Sequence, residues 1–194
     1  MEENHRPIVA VLAVQGAFIE HEKKLESLGA ICIELRCAAD LAQPFDALVL
    51  PGGESTVQGK LLSESGMLEP LRSLVQAGMP VLATCAGMIL LAREIIGMNQ
   101  PMLGLMNIAV VRNGFGRQVD SFETELEVDP IGRVNAVFIR APYVERVWGP
   151  ARVMASHDGK IVMAEEDRLL VTAFHPELTG DKCIHDYFLK KVSD

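Results

Sequence analysis

Pro80-Val81-Leu82-Ala83-Thr84-Cys85-Ala86-Gly87-Met88-Ile89-Leu90-Leu91-Ala92 decides how this chain is read. Val81 to Thr84 is a short apolar run with the length and composition of a buried strand. From Met88 to Ile96 the pattern is helical. Between the two stand a cysteine and two small residues. A strand turning sharply into a helix at a nucleophile is a nucleophile elbow, and small neighbours leave its side chain exposed at the turn. The small residue two positions before the nucleophile, usually glycine, is here Ala83. Cys85 would sit at a helix start, where the dipole and free N–H groups favour thiolate. A core cysteine among apolar neighbours is the competing reading, and this segment alone leaves both open.

Upstream of the elbow, apolar runs alternate with helical patterns. Ile8–Val14 is continuous and β-branched, as expected of a parallel strand covered on both faces. Ala17–Leu28 carries Phe18, Leu25 and Leu28 on one helical face, and Gly29 marks its stop. Ile31–Leu35 and Asp46–Leu50 are further strands, the second ending in Pro51-Gly52-Gly53. Helices follow, with breaks expected near Gly66 and Pro70. The order β-α-β-β-α-β-α implies crossover helices and a mostly parallel sheet.

Downstream, Leu103–Val111, Phe122–Val128, Ala136–Ile139, Val153–Ser156, Ile161–Ala164 and Leu169–Phe174 are strand-like. His157-Asp158-Gly159-Lys160 carries the Asp-Gly signal of a tight hairpin. A helix closes the pattern from about Asp181 to Val192. The expected fold is therefore α/β in three layers: a mostly parallel central sheet, an antiparallel extension and helices on both faces. One domain is expected over residues 1–194, with 1–6 as an N-terminal extension.

The composition is 49% hydrophobic and 23% charged, which argues against disorder, collagen and coiled coil. Lys and Arg total 18 against 26 Asp and Glu, a net charge of −8. The basic pairs Lys23-Lys24 and Lys190-Lys191 do not extend into a stripe, so a nucleic-acid partner is not expected. Val81–Ala92, the longest nearly unbroken apolar stretch, falls short of the ~20 residues a bilayer requires. No basic region precedes a cleavage site, and the cytoplasm is the expected compartment. Cys32, Cys37, Cys85 and Cys183 form no CxxC and no zinc spacing, so free thiols are expected.

Two further motifs carry chemistry. In Phe174-His175-Pro176-Glu177-Leu178 the histidine and glutamate are two apart, so in extended chain their side chains point the same way. Pro176 favours that conformation at His175. A carboxylate beside an imidazole orients the ring and stabilises its cation, which could activate a thiol and protonate a leaving amine. A solvated His and Glu after a strand is the plainer alternative. In Leu50-Pro51-Gly52-Gly53-Glu54-Ser55-Thr56, paired glycines let backbone N–H groups approach a ligand and could form an oxyanion hole; a loop into a helix capped by Ser55 or Thr56 is the plainer reading, and both can hold together. The P-loop ending and the GxGxxG spacing are both missing. Cys85, Gly52-Gly53, His175 and Gln15-Gly16 all follow strands, and in open α/β sheets ligands bind at that carboxyl edge.

Taken together, Pro51-Gly52-Gly53-Glu54-Ser55, Thr84-Cys85-Ala86-Gly87 and Phe174-His175-Pro176-Glu177 resemble the triad class of glutamine amidotransferases. Phe115-Gly116-Arg117-Gln118, Ser121-Phe122-Glu123 and Phe138-Ile139-Arg140-Ala141-Pro142 narrow the resemblance to the glutaminase subunits of pyridoxal 5'-phosphate synthases. The similarity runs from about Ile8 to Leu189. It implies a Cys85-His175-Glu177 triad that hydrolyses L-glutamine to L-glutamate and ammonia through a glutamyl thioester. It implies glutamine-binding residues Gly53, Glu54, Ser55, Arg112, Ile139 and Arg140. The oxyanion hole would use Gly52, Gly53 and Ala86, with Gln15 nearby. No metal or organic cofactor is implied, because pyridoxal phosphate would be the product of the complex. The implied partner is a synthase subunit that takes up the ammonia within a hetero-oligomeric ring. The competing classes are a stand-alone thiol hydrolase of deglycase type and a non-catalytic module that binds glutamine or a partner. The His175-Pro176-Glu177 segment argues against both.

Overall fold

In a computed structural model, which describes residues 6–115 and 121–193, the apolar runs of the first half lie side by side. Strands β1 (Ile8–Leu12), β2 (Ile31–Leu35), β3 (Ala47–Leu50) and β4 (Val81–Thr84) pair in parallel in the order β2-β1-β3-β4. Every residue of β3 and β4 is buried, the signature of strands covered on both faces. Helix α1 (Phe18–Glu26) packs on β1 and β2, and α2 (Ser55–Glu64) packs against α3 (Leu68–Gln76) and α4 (Ala86–Leu91). Gly29 ends the first crossover with φ +96°, a conformation that costs a side-chain-bearing residue dearly.

The second half extends this sheet. In chain order it supplies β5 (Ala92–Ile95), β6 (Met106–Val111), β7 (Ser121–Val128), β8 (Gly132–Ile139), β9 (Tyr143–Val147), β10 (Arg152–His157), β11 (Lys160–Glu166) and β12 (Leu169–Thr172). β12 returns to the centre and pairs in parallel with β4, Thr172 opposite Thr84. From there the order runs β12-β11-β9-β6-β5, with β10 paired to β11. β11 is antiparallel to β12, β10 and β9. The β10–β11 turn is the expected Asp-Gly hairpin, with Asp158 at φ +48° and Gly159 at φ +73°. Helix α5 (Cys183–Ser193) packs against α1.

Three local expectations need correction. The helix expected over Met88–Ile96 stops at Leu91, and Ala92–Ile95 pairs with β6 instead. Ala92-Arg93-Glu94-Ile95 continues a helical pattern, but it lies beside β6 and pairs with it as a strand, so tertiary context prevails. Pro70 does not break a helix. It is the third residue of α3, where no intrahelical acceptor is needed, and the break lies at Ser65-Gly66-Met67. Finally, β7 and β8 do not extend the main sheet. They form a separate two-stranded hairpin, tied to the sheet where the His175 N–H donates to the Val137 carbonyl at 2.8 Å. Phe122 and Phe138 stack across it at 4.5 Å between ring centroids.

Among the described residues, no helix is long and apolar enough to cross a membrane.

Candidate active site

Four neighbouring strands, in the order β1-β3-β4-β12, end at one edge, and each hands the chain to a residue singled out above. Gln15 follows β1, Gly52-Gly53 follow β3, Cys85 follows β4 and His175 follows β12. Cys85 has φ +49° and ψ −102°, and α4 starts at the next residue. That backbone is costly for a residue with a Cβ, by roughly 1–3 kcal/mol, and persists only because the surroundings impose it. The imposition is visible in Gly87, where a Cβ would collide with the Leu50 carbonyl. The elbow expected from the sequence is present.

His175 is 6% exposed and its Nδ1 lies 2.7 Å from Glu177 Oε1. The pairing is as expected, but its cause is not. His175 has φ −106° and ψ 84°, and Pro176–Leu178 is a single 3₁₀ turn rather than extended chain. That turn brings the carboxylate back under the ring. Lys24 of α1 locks it, donating to the carbonyls of Pro176, Thr179 and Asp181 at 2.7, 2.6 and 2.6 Å. Burial works against charge on His175. The Cys85 side chain beside the ring and the hydrogen-bonded Glu177 carboxylate outweigh it and raise its pKa to about 10. The Glu177 carboxyl is pushed up by burial, yet His21 and His175 hold it below the usual range. The arrangement is thus a cationic imidazole between a carboxylate and a sulfur, the condition for an activated thiol.

Gly52 separates these groups. A Cβ there would enter the His175 ring and come within 3.4 Å of the Cys85 Cβ. Its N–H is not free for an oxyanion, because it donates to Thr84 Oγ1 at 3.0 Å. This corrects one expected donor. The Gly53 N–H has no acceptor among the described residues, and Ala86, first in α4, has no intrahelical one. Gln15 braces this loop, its Oε1 accepting from the Glu54 N–H at 2.8 Å.

Cys85 and His175 face a cavity of about 360 Å³. Gln15, Gly53, Glu54, Ser55, Ala86, Arg112, Ile139 and Arg140 line it too, so every expected glutamine-binding residue is there. Glu177 lies buried behind the ring. Glu54 caps α2 through the Thr56 and Val57 N–H groups, takes the Thr56 hydroxyl and pairs with Arg112 Nη2 at 2.7 Å. Burial opposes its charge, and these bonds keep its carboxyl below the usual range. Arg140 carries no ion pair among the described residues, and like Asn113 it has a positive φ, of 41°. The Ser55 hydroxyl turns to Gln100 Oε1 at 3.2 Å. Gly116-Arg117-Gln118 lie outside the described residues.

Sequence reasoning missed Ile89, Asn113 and Pro142, which complete the lining. Ile89 stands one helical turn after Cys85, and that spacing could have found it. It also missed His21, which is fully buried beside Glu177. The signal was available: His21 shares the helical stripe of Phe18, Leu25 and Leu28.

A strand-edge cavity with this cysteine, imidazole and carboxylate has known counterparts. The chain belongs to the SNO glutamine amidotransferase family, which it matches over residues 11–194. Among its relatives, the pyridoxal 5'-phosphate synthase subunit PdxT of Moorella thermoacetica is 55% identical over 186 residues, covering 95% of this chain and 98% of that protein. The PdxT subunit of Pelotomaculum thermopropionicum is 56% identical over 185 residues, covering 94% of each. A crystal structure of a glutamine amidotransferase superposes with a TM-score of 0.91 at 44% identity, over 96% of this chain and 99% of that one.

Proposed function

We propose that this chain is the glutaminase subunit of a pyridoxal 5'-phosphate synthase, with Cys85, His175 and Glu177 as its catalytic triad. The observation that carries the reading is His175, held between Cys85 and Glu177 at the wall of a polar cavity. Cys85 thiolate attacks the side-chain carboxamide carbon of glutamine. The Gly53 and Ala86 N–H groups receive the oxyanion. Collapse of the tetrahedral intermediate breaks the C–N bond, and the His175 imidazolium gives its proton to the departing ammonia. A glutamyl thioester remains. Neutral His175 then takes a proton from water, hydroxide attacks the thioester, and glutamate leaves as the thiol is restored.

The cavity charges suit an amino acid. Arg140 is free for the α-carboxylate, with Arg112 beside it, and Glu54 is the anion nearest an α-ammonium. Gly53, Ser55 and Ile139 shape the remaining wall. The names of the relatives support a synthase partner that consumes the ammonia. We extend the reading to one amidotransferase domain over residues 1–194, a ring-shaped assembly with that partner, and a cytoplasmic location.

The test is glutamate release from glutamine by the purified chain, with and without the synthase subunit. Turnover should appear or rise with the synthase. Cys85→Ala and His175→Asn should abolish it while the protein stays folded, and Glu177→Gln should lose less because the nucleophile remains. Near-wild-type turnover by His175→Asn would sink the triad.

A further inference from the structure

Glu177 has two oxygens, and the His175 bond accounts for one. Oε2 is buried without a hydrogen bond of ordinary length, and His21 Nε2 lies 3.4 Å from it. His21 sits on α1, and its Nδ1 lies 2.9 Å from Nε2 of His185 on α5. Neither ring has any exposed surface. Nε2 of His21 also lies 3.2 Å from Thr84 Oγ1, the atom that receives the Gly52 N–H. An imidazole pair is therefore wedged between the helices and the back of the triad.

One proton arrangement satisfies these contacts. His185 Nε2–H donates to His21 Nδ1, and His21 Nε2–H points at Glu177 Oε2 and Thr84 Oγ1. His185 Nδ1, which has no partner, is then a bare lone pair. The opposite arrangement sets a lone pair of His21 against a carboxylate. It also buries an N–H of His185 with no acceptor, the rarer and costlier defect. Burial lowers the pKa of both rings, which favours their neutral forms near pH 7. The charged groups facing His21 are Glu177 and His175 from the β12 loop, and Lys24 and Glu20 on its own helix.

We propose that His21, held in its tautomer by His185, is a positioning residue whose Nε2–H aims Glu177 at His175 from behind. It acts on the thiol through two intermediaries and touches no substrate, since it does not line the cavity. This rests on the triad reading above.

Two polar variants separate the roles. Asparagine reaches only the imidazole Nδ1 position and keeps the contact to His185. Glutamine reaches the Nε2 position and retains the donor. The readout is alkylation of Cys85 by iodoacetamide across pH, followed on its own peptide by mass spectrometry. Glutamine turnover with the synthase subunit and melting temperature accompany it. In His21→Asn the alkylation profile should move about one pH unit to the alkaline side and kcat should fall about tenfold, the equivalent of one unit. KM for glutamine should stay unchanged, and His21→Gln should recover most of both. If His21→Asn lowers the melting temperature but keeps the wild-type alkylation profile and kcat, the inference is overturned. It is equally overturned if the two variants behave alike. A wild-type chain that shows the shift-sensitive alkylation but releases no glutamate would instead strike the glutaminase reading and leave His21 in place.

Discussion

The edge of the parallel strands and the β7–β8 hairpin face each other across one cavity, and they are built by opposite rules. At the edge, the supporting polar groups are committed inward, Gly52 to Thr84, Gln15 to Glu54 and Glu177 to His175, and the Gly53 and Ala86 N–H groups are left open. The central strands behind it, β3 and β4, are buried throughout. The hairpin has one wet face, with burial alternating along β8 as far as Ile139, 37% exposed, and Arg140 beyond it. It is anchored by the His175–Val137 bond and by Phe138 packing against Phe174 at 5.6 Å between ring centroids. Chemistry demands placement within fractions of an ångström and sits on the close-packed side. Grip on the substrate tolerates a looser wall.

That division can be broken first at Gly52. Gly52→Ala drives a Cβ into the His175 ring and should cut turnover at least ~100-fold, the scale of a 1 Å misplacement. A urea melt should register a loss of about 1–3 kcal/mol from overpacking. If turnover survives, the edge is softer than its packing implies. Across the cavity, Arg140→Ala should behave differently. It should raise KM for glutamine by about 10- to 100-fold, the worth of a charge-assisted hydrogen bond, and leave kcat within a few-fold. Steady-state kinetics with the synthase subunit would show whether kcat falls instead, which would move the hairpin into the chemical step.

The smallest effect sharpens the comparison through stability. His175 has a folded pKa of about 10 against 6.5 when unfolded, so the folded state holds its proton more tightly. Its stabilising contribution is complete below pH 6.5 and is lost as pH rises through about 10. The neutral His21 and His185 have the opposite sign: their lowered values cost stability as pH falls below 6.5. Melting temperatures should therefore decline on both sides of neutrality. His175→Asn should flatten the alkaline limb alone.

Much of this was legible in the residues. Val81–Thr84 and Ile31–Leu35 agree to the residue, because Pro80 and Gly29 punctuate them and their apolar runs have no helical continuation. Ala92–Ile95 was illegible because its residues fit the preceding helix, and Tyr143–Val147 because its charges hide a half-exposed strand. Cys85, His175 and Glu177 stand out as residue types at strand ends, whereas Arg112, Ile139 and Arg140 came only with the family resemblance. What did not follow was how individual hydrogen bonds are spent. Nothing in Gly52-Gly53 says that the first N–H belongs to Thr84, and nothing in His175-Pro176-Glu177 specifies a 3₁₀ turn. These depend on neighbours that only the fold supplies.

The position of β12 has a consequence for the life of the chain. It is the last of the described strands in chain order, yet it enters the middle of the sheet, between β4 and β11. Until it arrives, β4 and β11 are open edges, and long-range pairing of this kind is slow to form. The thiol reaches the ribosome exit long before the imidazole that would activate it. With the proposed triad, a nascent or truncated chain carries an unarmed cysteine, and glutamine is spent only by molecules whose sheet has closed.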